Sequence, residues 1–492
     1  MIPALRLAGV AWLGLCGAAV TAADTAPAAH LALSDCRLEH PEHVLSIAAR
    51  CGELEVPEDR SHPARHIRLK VAVVPALNLR GHADPLFVLA GGPGQAASEF
   101  YVGVAGAFTR VQRERDIVLV DQRGTGGSNA LDCEFPEEDE LADMTPVQIR
   151  LHAETCLASL ASDPRHYTTS VAVGDLDEVR AALGYERINL YGVSYGTRVA
   201  QHYLRRYPQR VRAMVLDGIV PPGVALVADG ALQAQHALDL IFERCRVETA
   251  CRAAFHDPAA TFAELRSVLE RRPAIVSMPD PVTGVVHNET IRPVHLQVAT
   301  RFLSYSPDRA ALLPLLLHEA LVRHNLAPLA AQADLLTERY ANAVSYGMHN
   351  AVVCTEDASL LESAAIDRAA LTRTYLGTQQ LDGLIEVCKT WPRGVIDSDL
   401  HARLDSPVPA LLLSGTADPV TPPSYGERVR GGLPQSLHVV LEGQGHGQLG
   451  TGCVPRLLAD FLERGATQDL DVSCARAIVA APFFVSFAGP PP

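Results

Sequence analysis

Apolar runs recur along the first half of the chain, separated by amphipathic or polar stretches. Four such runs lie within residues 85–90, 115–121, 187–193 and 210–217. Continuous apolar runs are typical of strands that are buried on both faces of a sheet. Residues 173–183, between the second and third runs, have the periodicity of an amphipathic helix. This alternation predicts a mostly parallel sheet with helices on both faces.

The pattern changes before and after this region. Residues 52–57 and 66–74 predict two strands, and the second begins with alternating polar and apolar positions, as in an antiparallel edge hairpin. From about residue 225 to 399 the apolar positions recur at helical spacing. Strand-like runs return at 408–415 and 436–441.

These changes predict the domain organisation. We expect a signal peptide over residues 1–23 and an α/β core in two parts, residues 36–222 and 401–480. A helical cap, residues 223–400, is inserted between the two parts of the core. Parallel sheets place their active sites at the carboxyl ends of the strands, so the loops that follow each apolar run deserve the closest inspection.

One of these loops carries a serine between two small residues. Gly192-Val193-Ser194-Tyr195-Gly196 follows an apolar run and precedes a helix-like segment. This is the Gly-x-Ser-x-Gly pattern of a nucleophile elbow, in which a sharp strand-to-helix turn exposes the serine hydroxyl. The pentapeptide alone is short enough to occur by chance, but its position between a strand and a helix favours the nucleophile.

A serine nucleophile needs a histidine base and a carboxylate that orients it. Asp418 follows the run at 408–415, and His446 follows the run at 436–441. An Asp before a proline or a His in a glycine-rich loop is usually a turn former or a solvated side chain. Because Ser194, Asp418 and His446 occur in the hydrolase order, each after a strand, we predict that they form a triad. Asp217 is the rival acid, although a role in bracing a loop suits it better.

Backbone donors for an oxyanion are also expected at this edge. The amide of Tyr195, directly after the serine, is one candidate. The other should come from Gly91-Gly92-Pro93-Gly94, and we favour Gly92 over Gly91. A phosphate-binding loop is the competing interpretation, but this segment has neither a Gly-x-Gly-x-x-Gly motif nor a P-loop lysine.

Composition limits the partners and the compartment. The formal charge of −14 disfavours binding to nucleic acid. Residues 1–23 combine Arg6, an apolar segment and small residues, which predicts an export signal. A membrane anchor or a lipoprotein site at Cys16 are the alternatives, but the apolar run is short and Leu15 is large for a lipobox. After cleavage we expect no membrane span and a periplasmic or secreted protein.

The remaining ten cysteines agree with export. They have no metal-ligand spacing, so disulfides are favoured over zinc. Sequence does not determine connectivity, and pairing of neighbours is our working hypothesis: Cys36–Cys51, Cys133–Cys156, Cys245–Cys251, Cys354–Cys388 and Cys453–Cys474.

The motifs together resemble a known family. The Gly91–Gly94 and Gly192–Gly196 motifs, the segment Asp121-Gln122-Arg123-Gly124-Thr125-Gly126-Gly127-Ser128, and the Asp418 and His446 loops look like the prolyl iminopeptidase branch of the α/β-hydrolases. The nearest likeness is to the secreted tripeptidyl aminopeptidases. The resemblance covers the mature chain, loosely in the cap. Ala90 departs from it, because many relatives have histidine there.

The resemblance implies an α/β-hydrolase fold and an exported serine exopeptidase that takes small peptide substrates. It implies an acid for the free ammonium group of the substrate, for which we nominate Glu356 and then Asp357. An acid pair at a helix N-terminus is the alternative interpretation. No cofactor or metal is expected, and the oligomeric state stays open. The rival functions are a carboxylesterase and a catalytically inactive hydrolase used as a binding protein.

Overall fold

The computed structural model describes Met1 and residues 31–134, 144–280, 283–363 and 366–490. The described residues form a nine-stranded sheet in the order β1-β2-β3-β5-β4-β6-β7-β10-β11, and β8 and β9 form a separate hairpin. The strands are β1 Ser34–Glu39, β2 Ser46–Pro57, β3 His66–Val74, β4 Leu86–Leu89, β5 Ile117–Val120, β6 Ile188–Val193, β7 Val211–Asp217, β8 Ala274–Pro279, β9 Val286–Ile291, β10 Ala410–Gly415 and β11 Ser436–Leu441.

The helices cover both faces of the sheet and build the cap. They are α1 Ala97–Gln112, α2 Pro146–Ser159, α3 Thr169–Ala182, α4 Tyr195–Arg206, α5 Leu226–Val247, α6 Thr249–Phe255, α7 Pro258–Arg271, α8 Pro293–Leu303, α9 Pro307–Ala310, α10 Leu313–Leu321, α11 Ala327–Ala343, α12 Tyr346–Val352, α13 Ala358–Ser363, α14 Arg368–Thr372, α15 Gln379–Thr390, α16 Pro423–Arg430 and α17 Val454–Arg464. A π-helical turn, Val353–Asp357, continues α12.

The sheet confirms the predicted fold class. Strands β5, β4, β6, β7, β10 and β11 run parallel to one another, and β1, β2 and β3 form an antiparallel edge that joins β5. Strands β4, β5, β6 and β10 are buried at every residue, which explains their unbroken apolar sequences. Because β6 lies between β4 and β7, the loop at Ser194 adjoins the loops after those two strands.

The cap has a hydrophobic core of its own, separate from the clusters on the two faces of the sheet. Helices α5, α7, α8, α10 and α11 contribute to this core. The hairpin β8–β9 interrupts the helical region and is the cap element that helical periodicity did not predict. The C-terminal segment returns to the cap, where Phe483 is fully buried and Phe484 N donates to Ala311 O over 3.1 Å.

The ten cysteines form the five neighbour pairs that we predicted. The disulfides fit an exported protein. The predicted signal peptide, with Cys16, lies outside the described residues apart from Met1. None of the helices in the described segments combines the length and apolar character needed to cross a bilayer.

Candidate active site

Ser194 sits in a strained turn between β6 and α4. Its φ of 54° and ψ of −124° fall in a region that non-glycine residues rarely occupy. Its amide donates to Asp217 O at the end of β7 over 2.9 Å, and its carbonyl accepts from Thr197 Oγ1 over 2.6 Å. Strain that the surroundings hold in place is a common property of catalytic residues. The geometry is that of a nucleophile elbow.

The glycines on either side of Ser194 are required by close packing. A Cβ atom at Gly192 would lie 2.4 Å from Gly196 O, and one at Gly196 would lie 2.2 Å from Leu89 O. Both separations are too short for any side chain. The tight contact with Leu89 also holds the elbow against the end of β4, where the glycine-rich loop begins.

Asp418 and His446 form a hydrogen-bonded pair. His446 Nδ1 lies 2.8 Å from Asp418 Oδ2, and Asp418 is almost fully buried. Asp418 also accepts hydrogen bonds from the amides of Val420 and Thr421 and from Thr421 Oγ1. Burial lowers the pKa of His446, but the charge and hydrogen bond of Asp418 outweigh it, and the pKa lies above its ordinary value. The pair is arranged to stabilise an imidazolium.

Asp217, the rival acid, contacts the histidine loop rather than the ring. Its carboxylate accepts from the amides of Gln448 and Leu449 and from Tyr191 Oη, over 2.7–3.0 Å. Burial raises its pKa to about 6. An added Cβ at the next residue, Gly218, would lie 3.0 Å from His446 Cε1. The Asp217–Gly218 corner therefore adjoins both Ser194 and His446, and Asp217 braces the loop.

The cap also reaches His446, which the sequence did not reveal. Tyr305 O accepts from His446 N over 2.8 Å, and the two rings meet edge to face at 5.3 Å. Arg301 Nη1 donates to Pro419 O over 2.6 Å, next to Asp418. The C-terminal end of α8 and the residues that follow it thus support both loops of the pair. These contacts join distant parts of the chain, so no local motif signals them.

One candidate oxyanion donor, Tyr195, directly follows Ser194, and the loop of the other, Gly92, begins at Gly91 beside the serine. Tyr195 is the first residue of α4, so its N–H has no partner within that helix. An added Cβ at Gly91 would lie 3.2 Å from Ser194 Cβ, and Gly92 follows with a φ of 101°. The loop is held by the cap, because Ser345 N donates to Gly94 O over 2.9 Å.

Glu356 and Asp357 lie in the π-helical turn beneath the elbow helix. Glu356 is 0% exposed, and its carboxylate accepts from Thr169 N at 2.7 Å, Thr169 Oγ1 at 3.0 Å and Arg198 Nη1 at 3.3 Å. Asp357 Oδ1 accepts from the same Arg198 nitrogen over 2.7 Å. Burial raises the pKa of Glu356, although the charge of Arg198 opposes the rise. Thr169 and Arg198 are further residues that sequence reasoning missed.

The segment Asp121–Ser128 forms a structural support. Asp121 accepts hydrogen bonds from Ser98 N and from Gly127 N. Arg123 is fully buried and binds Asp175 through two hydrogen bonds of 2.6 and 2.7 Å. Gln122 donates to Tyr195 Oη over 3.0 Å, so the segment also supports the residue after the nucleophile.

Two groups of side chains among the described residues have a spacing that could hold a metal ion. One contains His202, Asp397 and Asp399, and the other contains His287, Glu289 and Asp334. Neither group includes a residue of the predicted triad.

The chain is similar in sequence to several known proteins. Residues 84–452 match the α/β hydrolase fold family. The chain is 25% identical to serine protease Hip1 of Mycobacterium tuberculosis over 483 residues, which cover 89% of this chain and 90% of that protein. It is 32% identical to tripeptidyl aminopeptidase of Streptomyces lividans over 224 residues, 42% of this chain and 41% of that protein. It is also 27% identical to carboxylesterase B of M. tuberculosis over 468 residues, 87% of this chain and 86% of that protein.

Proposed function

The chain belongs to the α/β-hydrolase family, and we propose that it is an exported serine exopeptidase that releases residues or short peptides from the free N-terminus of oligopeptides. The observation that carries the proposal is the strained Ser194 on a strand end neighbouring the buried Asp418–His446 pair. The similarity to a serine protease and to a tripeptidyl aminopeptidase supports the peptidase assignment within the family.

The proposed mechanism uses the triad in two steps. Ser194 Oγ attacks the scissile carbonyl while His446 Nε2 accepts the hydroxyl proton, and Asp418 holds the imidazole through Nδ1. The amides of Tyr195 and Gly92 bind the oxyanion of the tetrahedral intermediate. His446 then donates its proton to the leaving amine, which leaves an acyl-enzyme on Ser194. Water hydrolyses the acyl-enzyme with His446 again acting as the base.

Recognition of the substrate ammonium group is proposed for Glu356, with Asp357 second. Both carboxylates are bonded to Arg198, and Glu356 also to Thr169. Glu356 is 0% exposed, so an ammonium group could contact it only if the packing around the carboxylate opened. The ammonium role therefore requires a local rearrangement on binding, and the Glu356→Gln variant described in the Discussion tests it.

A carboxylesterase is the second candidate function. The similarity to carboxylesterase B favours it, and the same triad chemistry cleaves esters. The two functions differ in their dependence on a free N-terminus, since an esterase has no need of one. Paired peptide substrates with free and acetylated N-termini distinguish them.

Export is part of the proposal. We propose that residues 1–23 are removed as a signal peptide and that the mature enzyme works in the periplasm or outside the cell. The five disulfides support an oxidising compartment. N-terminal sequencing of the exported protein tests the cleavage after Ala22 or Ala23.

Covalent labelling tests the catalytic core of the proposal. A fluorophosphonate should label Ser194 in the folded wild-type protein, whereas Ser194→Ala should not react. Ser473→Ala, which changes an exposed serine away from the site, is the matched control and should be labelled like the wild type. A folded wild-type protein that does not react would favour an inactive hydrolase that serves as a binding protein.

A further inference from the structure

We propose that Arg301 is a positioning residue of the cap, which holds the loop of Asp418 and places a positive charge near the Asp418–His446 pair. The inference rests on the proposed triad, but not on the choice between a peptidase and an esterase. Arg301 lies in the last turn of α8 and is only 9% exposed. Because solvent screens a buried charge less than an exposed one, the guanidinium acts strongly on the groups around it.

The guanidinium of Arg301 is bonded to the aspartate loop through one peptide group. Its Nη1 donates to Pro419 O over 2.6 Å. The amide of the same peptide group, Val420 N, donates to Asp418 Oδ1 over 2.8 Å. A peptide group is rigid and planar, so the bond from the cap and the bond to the carboxylate act on one unit. Arg301 therefore helps to fix the orientation of the triad acid.

Arg301 also contacts the residue that supports the histidine loop. Its guanidinium carbon lies 5.6 Å from the centroid of the Tyr305 ring, within the range of a cation–π interaction. Tyr305 O accepts from His446 N over 2.8 Å. A Cβ atom at Gly445 would lie 2.2 Å from that same oxygen, so only glycine lets the cap backbone come this close. One arginine of the cap thus touches the supports of both catalytic loops.

The charge of Arg301 is directed at the catalytic pair. The titratable groups that face the guanidinium are Asp418 and the hydroxyls of Tyr305, Tyr340 and Tyr375. Tyrosine hydroxyls are neutral near pH 7, and burial raises the pKa of Tyr340 further, to about 12. Asp418 is therefore the charged partner in this group, and a change of charge at position 301 should be felt by the pair that Asp418 forms with His446.

Three charges act on His446, and Arg301 is the one that opposes its protonation. Burial lowers the pKa of His446, the charges of Asp418 and Asp217 raise it, and the charge of Arg301 lowers it. Without Arg301, the imidazolium would persist to a higher pH, where it cannot accept the serine proton. We infer that Arg301 extends the active range of the enzyme toward acidic pH.

The pH dependence of kcat/KM for p-nitrophenyl acetate tests this role. Arg301→Gln removes the charge but keeps an amide donor, and it should move the midpoint of the acidic limb upward by at least about half a pH unit. Arg301→Lys keeps the charge and should retain the wild-type midpoint with a lower kcat, since an ammonium group fits the Pro419 carbonyl differently. Asp217 also titrates beside His446, but it is present in every variant, so the differences report on Arg301.

Arg271→Gln is the matched control. Arg271 also lies in the last turn of a cap helix, α7, but it is exposed and donates to Ser267 Oγ of the same helix. This variant should reproduce the pH profile and the kcat of the wild type. Circular dichroism verifies that each variant folds. If Arg301→Gln does not fold, Arg301→Lys supplies the test through its midpoint and kcat.

The proposal is overturned if folded Arg301→Gln keeps the wild-type midpoint, because a purely structural residue would not move it. A downward shift would also overturn it, since the variant would then have loosened Asp418 from His446. An upward shift in Arg301→Lys would exclude the role of the charge. Failure of the proposed function gives a different result: the wild type itself would neither hydrolyse p-nitrophenyl acetate nor react with a fluorophosphonate, which would remove the triad and this inference together.

Discussion

The side chains of Glu356 and Tyr195 are joined through a single hydroxyl group, that of Thr169. Thr169 Oγ1 donates to Glu356 Oε2 over 3.0 Å and lies 2.7 Å from Tyr195 Oη. Since the threonine proton is used toward the carboxylate, the tyrosine hydroxyl donates to Thr169 and accepts in turn from Gln122. The π-helical turn of the cap is thereby connected to the residue whose amide we propose as an oxyanion donor.

This connection makes Glu356→Gln an informative variant. If Glu356 binds the substrate ammonium group, the variant should lose kcat/KM on peptides with a free N-terminus by about 10-fold or more, because a charge-assisted hydrogen bond is worth about 1.5–3 kcal/mol. Hydrolysis of p-nitrophenyl acetate, which has no ammonium group, should be unchanged. Steady-state kinetics on both substrates measure the difference. Glu362→Gln, an exposed glutamate on α13, is the control.

An equal loss of kcat on both substrates would contradict the ammonium role. Glu356 would then be a positioning residue that acts through Thr169 and Tyr195.

The two strand-end aspartates should differ in their effect on catalysis. Asp418→Asn removes the carboxylate that holds His446 Nδ1 and should lower kcat by about 10⁴-fold. Asp217→Asn disturbs only the position of the histidine loop and should lower kcat by at most about 100-fold. Turnover of p-nitrophenyl acetate by the two variants gives the comparison. The reverse ranking would make Asp217 the triad acid.

Asp217 should also affect how the stability of the protein depends on pH. Burial raises its pKa to about 6 from an ordinary value of 3.8. The folded state binds the Asp217 proton more tightly than the unfolded state does. Protonation of Asp217 therefore stabilises the folded protein below pH 4, and this stabilisation is lost as the pH rises through 6. The free energy of unfolding of the wild type should therefore fall, relative to Asp217→Asn, by about 2 kcal/mol between pH 4 and pH 7. Denaturant unfolding of both proteins measures this; a constant difference would contradict it.

His446 determines the acidic limb of the activity profile. The charge of Asp418 holds the pKa of His446 above its ordinary 6.5 in spite of burial. Protonated His446 cannot accept the serine proton, so activity should decline as the pH falls through a value above 6.5. The profile of kcat/KM for p-nitrophenyl acetate shows this directly, because that substrate does not titrate in this range. A limb centred below 6.5 would mean that burial outweighs the charge of Asp418.

Much of the candidate site was predictable from sequence because its residues follow strands of the parallel sheet. Ser194 follows β6, Asp418 follows β10 and His446 follows β11. Parallel strands bring their carboxyl ends to one edge of the sheet. The apolar runs predicted the strands, and the motifs indicated which loops carry the candidate residues. The neighbour pairing of the cysteines was also correct, since each pair closes a short stretch of chain.

What the sequence did not predict depends on long-range packing. Tyr305 contacts His446, which lies 141 positions later in the sequence, and Arg198 contacts Glu356, which lies 158 positions later. Neither contact has a local signal. The hairpin β8–β9 was missed because two short exposed strands leave little periodicity in a helical region. Thr421 could have been found, because an aspartate often accepts the amides and hydroxyl of residues two and three positions later.

The dependence on a free N-terminus tests the central claim most directly. The measurement is the hydrolysis of one chromogenic peptide offered with a free N-terminus and, in parallel, N-acetylated, by the wild type and by Ser194→Ala. We predict cleavage of the free peptide alone and its complete loss in Ser194→Ala. Equal cleavage of both peptides by the wild type would contradict an aminopeptidase and favour an esterase or an endo-acting hydrolase.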